Sequence, residues 1–394
     1  MGRRLPACLA APLALLVAAQ PVAAQPVAAQ DVPDAGKTAQ DAADVEARLL
    51  GKPEPKEKPD KPKKRDMLVV PVPISNPSSG TGLAVGGVVF YNPLGEPQQW
   101  VSGGGVLYTD RGTKGIGLFH SMSLGQDKYR FRVIAVYTDG PLKYYGTGAA
   151  AGDAGNDFDM QNNNLSVQAQ AQVRAFPHGY VGLRYKYSHY DATPPDTLPP
   201  GAVVPPDDQR HSALSMLGPF VSYDTRDSAT LPRKGMFLSA NWLMGVKLLG
   251  NSFAHSKVQL ASNFYRPAGA RTTLALRASL CGVTGTVPFY DLCSYGQGAD
   301  LRGYEAGRYR DRVNWAAQGE LRHQLSNRFG GVVFAGVGGI APSLGGIFGD
   351  GNLLPSMGLG VRYKPFRHND VNLRADVALG FNGPAFYFGI SEAF

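Results

Sequence analysis

The sequence predicts an all-β protein, a transmembrane antiparallel β-barrel of about 16 strands. Three observations support this: apolar and polar residues alternate with a period of two from Met67 onward, short and long connections alternate along the chain, and the final strand is aromatic. The 394 residues include 49 Gly, 18 Tyr and 18 Phe but only 18% charged residues, which favours strands over long helices. After the first thirty residues, no apolar run reaches the roughly 18 residues of a membrane helix, so a membrane span would have to be a barrel.

The first thirty residues have the features of an export signal. Arg3 and Arg4 precede an apolar run from Leu5 to Ala19, and small residues follow. We expect residues 1–24 to form a cleaved signal peptide, although the repeated PVAAQ pattern also allows cleavage after residue 29. The segment 25–66 is rich in Ala, Pro and Lys and is predicted to be a disordered periplasmic tether. Residues 67–394 are left for the barrel.

Positive charge is concentrated ahead of the barrel. The formal net charge is +8, but residues 51–66 hold seven Lys or Arg against four acids, and Arg3 and Arg4 lie in the signal. A solvated, Pro-rich tether is the favoured interpretation, and contact with anionic lipid headgroups is the alternative. We expect no nucleic-acid partner, because the protein is exported.

The strands are predicted from the alternation. Residues 313–325 and 371–379 place mostly apolar side chains at odd positions, and polar ones such as Glu320 and Asp376 at even positions. The expected strands are centred near 71, 85, 103, 117, 132, 169, 185, 217, 240, 259, 275, 319, 333, 359, 375 and 389. A soluble β-sandwich would alternate in the same way, so the connections must distinguish the two folds.

The connections sort by length. Those near 92, 125, 178, 229, 268, 327 and 367 are mostly short, whereas the long ones alternate with them, at 138–162, 191–210, 281–311 and 339–354. With a periplasmic amino terminus, the short turns would be periplasmic and the long loops external, as is typical of membrane barrels. A sandwich has no physical reason for this sorting.

The last segment, FYFGISEAF, resembles the aromatic assembly signal of outer-membrane proteins. Four residues of one parity are predicted to face lipid: Phe386, Phe388, Ile390 and Phe394. Glu392 has the same parity and is therefore expected near the headgroups, where a charge is tolerated.

Three segments together resemble the BamA/TamA (bacterial surface antigen) family of outer-membrane barrels. The first is YDTRDSATLPRKGMFL at 223–238, a predicted periplasmic turn motif with Tyr223, Asp224, Arg226 and Asp227. The second is LRGY in a long external loop, formed by Leu301, Arg302, Gly303 and Tyr304, and the third is the terminal strand. The resemblance covers residues 67–394. It implies a barrel that inserts or translocates polypeptides, a seam between the first and last strands, and a sixth external loop folded into the lumen.

The resemblance gives Arg302 a role in holding that loop. A guanidinium inside a barrel needs a carboxylate partner, because an unpaired buried charge is costly. Glu320, on the polar parity of the following strand, is the expected partner, and a bidentate pair would fix the loop. The alternative is that Arg302 is a solvated loop residue.

Two departures from the family pattern are visible. The family motif F-x-D-x-G corresponds here to FAGVG, which begins at Phe334 and lacks the aspartate, so Arg302 is predicted to be one anchor short. Family members that assemble proteins usually carry periplasmic substrate-binding modules, yet only residues 25–66 lie between the signal and the barrel. We therefore expect a barrel-only member.

Cys281 and Cys293 are predicted to form a disulfide. Both lie in the loop that carries LRGY, and with Cys8 removed in the signal they form an even pair in an oxidising compartment. The bond would stabilise the fold by roughly 2–4 kcal/mol.

No catalytic, metal or cofactor site is predicted. The seven histidines lack metal-ligand spacing, and His211 beside Ser212 is better explained as a strand residue. The Gly-rich segment 336–351 lacks the lysine of a phosphate-binding loop and is expected to be a flexible external loop.

Two functional classes are carried forward. The first is an insertase or translocase for polypeptides or lipids that uses a weak seam, and the alternative is a passive diffusion pore for small solutes. An outer-membrane lipase is disfavoured, since no Ser and His align on the lipid face. The expected partners are outer-membrane lipid, the barrel assembly machinery during biogenesis, and client polypeptides.

The seam hypothesis depends on two prolines in the presumed first strand. Pro71 and Pro73 share a parity, so their missing N–H groups lie along one edge of the strand. The alternative is that these residues precede the barrel and that the first strand begins near Gly80.

Overall fold

The computed structural model of the protein describes residues 65–394, except 77–79, 297–299, 348, 350–352 and 366–370, and describes only the backbone at 74–76. The predicted signal peptide and nearly all of the predicted tether lie outside the described residues. Among the described residues, no helix is both long enough and apolar enough to cross a lipid bilayer.

Sixteen antiparallel strands follow one another in a single sheet and form a nearly closed barrel. The barrel strands are β1 (Arg65–Asn76), β2 (Gly80–Tyr91), β3 (Trp100–Thr109), β4 (Lys114–Leu124), β5 (Tyr129–Tyr144), β6 (Phe158–Phe176), β7 (Gly179–Thr193), β8 (His211–Asp224), β9 (Gly235–Gly245), β10 (His255–Pro267), β11 (Thr272–Gly285), β14 (Val313–Gln324), β15 (Phe329–Ala341), β16 (Leu353–Tyr363), β17 (Leu373–Gly380) and β18 (Gly383–Ile390). Two short strands, β12 (Cys293–Ser294) and β13 (Arg310–Asp311), pair with each other inside one connection. Two short helices, α1 (Ala149–Asp153) and α2 (Asp207–Arg210), lie in other connections.

The predicted fold class is confirmed. Each of the sixteen predicted centres falls within a barrel strand, and the first strand begins at Arg65, two residues before the predicted start. Several strands extend further than predicted, so the loop predicted at 138–162 is only 145–157. We call the end of the barrel that carries the short connections the turn end, and the other the loop end.

The two faces of the strands differ as a barrel requires. In β14, Leu321 is 44% exposed on the outer face, whereas its neighbour Glu320 is 1% exposed on the inner face. The polar parity therefore faces a filled lumen, where carboxylates and guanidinium groups pack against each other. The charged residues at even positions of β14 are therefore paired with one another inside the barrel and are not exposed to solvent.

β1 is a true barrel strand. It pairs with β2 along its whole length, with Pro71 opposite Val85 and Pro73 opposite Leu83. The alternative in which the first strand begins near Gly80 is therefore wrong. β1 and β18 lie side by side, but within the described residues no hydrogen-bonded ladder joins them.

The two prolines lie on the edge of β1 that faces away from β2. The Thr81 N–H donates to Asp110 Oδ1 and its carbonyl accepts from the Asp110 N–H, so Thr81 points its backbone groups toward β3. The backbone groups of successive residues in a strand point to opposite edges, so the even residues of β2 point toward β1. Val72 is opposite Ala84, and the even residues of β1 therefore bond to β2. The nitrogens of Pro71 and Pro73 consequently lie on the edge next to β18.

The prediction for the last residues is partly wrong. Phe386 and Phe388 are 57% and 44% exposed on the outer face, and Ile390 is half-buried. β18 ends at Ile390, and Ser391 adopts a φ of 71°, which breaks the alternation. Phe394 therefore lies beside the buried Arg322, whose Nη2 donates to the Phe394 backbone oxygen at 3.0 Å.

Glu392 is also displaced from its predicted place near the headgroups. Its side chain is 2% exposed and accepts from Arg362 Nε at 2.7 Å and from Asn372 Nδ2 at 2.8 Å. The break in the strand at Ser391 turns this carboxylate toward the arginines of the lumen.

Candidate functional site

The connection between β11 and β14, residues 286–312, folds into the barrel, and we call it the lumen loop. It contains β12, β13 and a 3-10 turn at Phe289–Asp291. The four residues of LRGY are all buried, with Leu301 0%, Arg302 1% and Tyr304 1% exposed. Arg302 is therefore not a solvated loop residue.

Arg302 is held by two carboxylates and one ring. Its Nη2 donates to Glu320 Oε1 on β14, as the sequence predicted, and its Nη1 lies 2.8 Å from Asp376 Oδ2 on β17. The guanidinium carbon lies 3.5 Å from the centre of the Phe334 ring. Charge-assisted hydrogen bonds and a cation–π contact thus join the loop to β14, β15 and β17 on the inner wall.

The expectation that Arg302 is one anchor short is wrong. β15 lacks the aspartate of the family motif, but Asp376 on β17 supplies a carboxylate to the same guanidinium. The sequence indicated only that Asp376 faces the lumen, because it lies on the polar parity of its strand. Its pairing with Arg302 required knowledge of how β14, β15, β16 and β17 are staggered, which single-strand alternation does not give.

Glycine makes this arrangement possible at two places. Gly303 has a φ of 104°, and an added Cβ would lie 2.9 Å from the Leu379 carbonyl carbon, so only glycine lets the loop approach the barrel wall here. Gly360 on β16 leaves the space that Asp376 occupies, since an added Cβ would lie 2.0 Å from Asp376 Oδ1.

The ion pairs extend beyond Arg302 into a connected network on the inner wall. Arg322 bonds Glu320 at 2.7 Å, Arg362 bonds both Asp376 (2.5 Å) and Glu392 (2.7 Å), and Arg374 lies 3.1 Å from Asp376. We call this set the lumen ion network: Arg302, Arg322, Arg362, Arg374, Glu320, Asp376 and Glu392. It joins the lumen loop to β14, β16, β17 and the segment after β18.

A second anchor holds the start of the lumen loop. Asp291 is 1% exposed and lies 3.2 Å from Lys257 Nζ and 2.9 Å from His255 Nε2, and it also bonds Lys186. Burial alone would raise the pKa of Asp291, but Lys186, Lys257 and His255 outweigh it and hold the pKa well below its usual value. Sequence reasoning did not find this site, because its four members come from three separate stretches of the chain.

The cysteine pair forms a third connection. Cys281 on β11 and Cys293 on β12 are joined as a disulfide with their Cα atoms 5.8 Å apart. The bond ties the lumen loop to the barrel wall.

The YDTRD segment lies at the turn end and folds across the mouth of the barrel. Arg226 bonds the Asp224 carboxylate with two nitrogens at 2.9 and 3.0 Å, and Asp227 Oδ1 accepts the backbone N–H groups of Arg233 and Lys234. The Tyr223 ring stacks on Phe176, the last residue of β6, with centroids 6.4 Å apart. The turn from 225 to 234 separates two pockets of about 690 and 340 Å³.

The weaker sequence candidates stay apart from any reactive arrangement. His211 Nδ1 lies 2.8 Å from Asp191, while the Ser212 hydroxyl donates to the Gln209 carbonyl. Within the ranges that the structure describes, no three His, Cys, Asp or Glu side chains are grouped so that they could hold a metal ion.

Sixteen antiparallel strands, an apolar outer face and a loop bound inside define a transmembrane β-barrel with a filled lumen. Residues 79–394 match the Omp85 superfamily domain, so the chain belongs to the Omp85 superfamily. Barrels of this superfamily are bacterial outer-membrane proteins. No curated protein matches the sequence.

Solved structures share the fold. BamA from Haemophilus ducreyi lacking POTRA domains 1–3 matches with a TM-score of 0.53 and 14% identity, over 84% of this chain and 70% of that one. CdiB from Escherichia coli matches with a TM-score of 0.55 and 13% identity, over 83% of this chain and 62% of that one. CdiB from Acinetobacter baumannii gives a TM-score of 0.53 and 14% identity, over 84% and 59%. This chain thus spans less than two thirds of either CdiB chain.

Proposed function

We propose that this protein assists the insertion or translocation of polypeptides, or of lipids, at the bacterial outer membrane, and that its substrate passes through the seam between β1 and β18. In this proposal the chain reaches the membrane after removal of residues 1–24, and its turn end faces the periplasm. Client polypeptides and outer-membrane lipid are the partners, and the barrel assembly machinery acts during its biogenesis.

The observation that carries the proposal is the edge of β1. Pro71 and Pro73 have no N–H to donate on the side next to β18, and within the described residues no ladder closes that side. Each missing backbone hydrogen bond removes about 0.5–1.5 kcal/mol of net stabilisation. The sheet is therefore weakest at the seam, and opening is expected there before any other strand pair separates.

The filled lumen supports a lateral route over a central one. The lumen loop is bound by the lumen ion network, by Asp291 and by a disulfide. The 225–234 turn also lies across the turn end. A polypeptide passing along the axis would have to displace both.

Cysteine crosslinking tests the seam. Met67 and Val69 on β1 and Phe386 and Phe388 on β18 are exposed on the same outer face, so cysteine pairs that combine one residue from each strand should crosslink. The proposal expects crosslinking to abolish activity in an assembly or secretion assay while the barrel stays folded. The matched control pairs Met67 with Val89, which already face each other across the β1–β2 ladder, and should leave activity intact. Full activity of the seam-crosslinked barrel would exclude lateral opening.

The alternative function is a passive diffusion pore, and the two pockets at the turn end are the feature that favours it. Single-channel conductance in planar bilayers distinguishes the two proposals. An insertase with a filled lumen should show little steady conductance until residues 296–308 are deleted. A wild-type barrel with a stable open conductance would support the pore instead.

A further inference from the structure

The smaller pocket at the turn end, which we call the mouth pocket, carries an excess of positive charge. Its volume is about 340 Å³. Six cationic side chains line it, against the carboxylates of Asp227 and Glu392: Arg233, Arg271, Arg322, Arg328, Arg362 and Lys364. Arg322 and Arg362 are also paired with Glu320 and Asp376, so the excess lies mainly with Arg233, Arg271 and Arg328. The larger neighbouring pocket has no such excess, because its three arginines, Arg130, Arg174 and Arg226, face three aspartates, Asp127, Asp224 and Asp227.

The two carboxylates of the mouth pocket are already engaged. Glu392 is bonded by Arg362 and Asn372, and Asp227 accepts two backbone N–H groups. Among the described residues, no carboxylate forms an ion pair with Arg233, Arg271 or Arg328. The rim formed by these three arginines is therefore positively charged, and no described carboxylate is paired with it.

Two of the arginines that line the pocket are buried, and each has one donor without an acceptor in the described structure. The side chains of Arg322 and Arg362 are 8% and 4% exposed. Arg322 Nη1 and Arg362 Nη2 have no hydrogen-bond partner in the described structure, although both atoms are buried. Buried donors without acceptors are rare in proteins and call for a specific explanation.

From this geometry we propose that the mouth pocket binds a phosphate group. A phosphate is tetrahedral and carries up to two charges, so it can accept hydrogen bonds from several guanidinium groups that approach from different directions. A planar, singly charged carboxylate can accept from fewer of them. Here the cations come from the 225–234 turn, the β10–β11 turn, β14, the β14–β15 turn, β16 and the residue that follows β16. The phosphate neutralises the arginines of the rim, and Arg322 and Arg362 add positive charge from the wall of the pocket. The source of the phosphate is either a soluble phosphate ester or a phospholipid headgroup.

Binding by the intact barrel tests the inference. Arg271 and Arg328 are exposed, so the double variant Arg271→Gln/Arg328→Gln should fold normally while the charge of the pocket falls by two. In detergent, calorimetry with glycerol 3-phosphate should show saturable binding to the wild type, at least tenfold weaker binding to this variant, and weaker binding of acetate to both. The matched control Lys114→Gln/Lys247→Gln removes two exposed charges near the loop end and should bind like the wild type.

A lipid arm identifies the source. In nanodiscs containing phosphatidylglycerol, native mass spectrometry should detect retained lipid on the wild type and less on the Arg271→Gln/Arg328→Gln variant if a headgroup fills the pocket. Binding confined to glycerol 3-phosphate would assign a soluble ester, and either result supports a phosphate site. The inference fails if neither probe binds saturably, if acetate binds as tightly as phosphate, or if the control variant loses binding equally. It does not depend on the seam, so it can fail while the proposed function holds.

Discussion

Arg302 Nη1 lies 2.8 Å from Asp376 Oδ2, which joins the lumen loop to a strand that comes 74 positions later in the chain. Both side chains are almost completely buried. Breaking one partner of a buried ion pair costs roughly 3–5 kcal/mol, because the other charge remains without compensation.

Asp376→Asn should therefore destabilise the barrel by about 3–5 kcal/mol and make the lumen loop more sensitive to protease. Arg302→Ala should do much the same, and Glu320→Gln should loosen the loop as well. The measurements are the denaturant midpoint by tryptophan fluorescence and limited proteolysis. The control is Arg111→Ala, whose ion pair with Asp159 is more than a third exposed on each side and should matter by less than about 1 kcal/mol. If Asp376→Asn is as mild as this control, the pair does not hold the loop.

Gly360→Ala should reproduce the Asp376 defect without removing any charge. The new methyl group would meet Asp376 Oδ1 at 2.0 Å and push the carboxylate away from Arg302 and Arg362. We expect a lower unfolding midpoint and faster proteolysis of the loop. Gly117→Ala on β4 is the matched control, since its Cβ would meet nothing closer than 3.9 Å. Equal midpoints for the two variants would show that Asp376 can move at no cost.

The disulfide should be complete in the exported protein. Alkylation before reduction should label neither Cys281 nor Cys293, and mass mapping should join them. Reduction, or Cys293→Ser, should increase protease cleavage within 286–312 because the loop then loses one of its three connections. Two alkylated cysteines in unreduced outer membranes would contradict the bond.

Asp291 gives the start of the lumen loop a defined pH dependence. Its pKa is held well below the usual value by Lys186, Lys257 and His255, so the folded state favours the ionised form. This stabilisation is fully present above the unfolded-state pKa of about 4 and is lost as pH falls through the lower folded-state value.

Asp291→Asn should consequently lower the guanidinium chloride concentration at which half of the protein is unfolded, both at pH 7 and at pH 5. The difference from the wild type should shrink below about pH 4, where the wild-type carboxylate also begins to take up a proton in the unfolded state. Midpoints measured from pH 2.5 to 7 test this. A difference that stays constant over the whole range would mean that the Asp291 charge has no stabilising role.

The strand alternation in the sequence predicted the barrel accurately because the polarity of each strand residue reflects the face on which that residue lies. A side chain on a barrel strand faces either lipid or lumen, so polarity with a period of two records the face directly. The lengths of the connections then indicated which end of the barrel each connection occupies. Both signals are local, and neither requires knowledge of distant contacts.

The errors arose where an irregular backbone or a distant strand decided the outcome. Glu392 and Phe394 were assigned by continuing the alternation of β18, but the φ of 71° at Ser391 turns them inward. Asp376 was visible as a polar residue on a strand, yet its contact with Arg302 depends on the stagger of four strands.

By itself, the sequence determined the barrel, its strand number, the placement of most short connections at one end and the pairing of Arg302 with Glu320, because these follow from periodicity, loop length and a recognisable loop motif. Only the tertiary structure decided that Asp376 completes the Arg302 site, that Asp291 anchors the loop against three cations, and that the nitrogens of Pro71 and Pro73 lie on the seam edge. Each of these depends on which strands are adjacent and how they are staggered, and a sheet sets that relationship through hydrogen bonds between segments far apart in the chain.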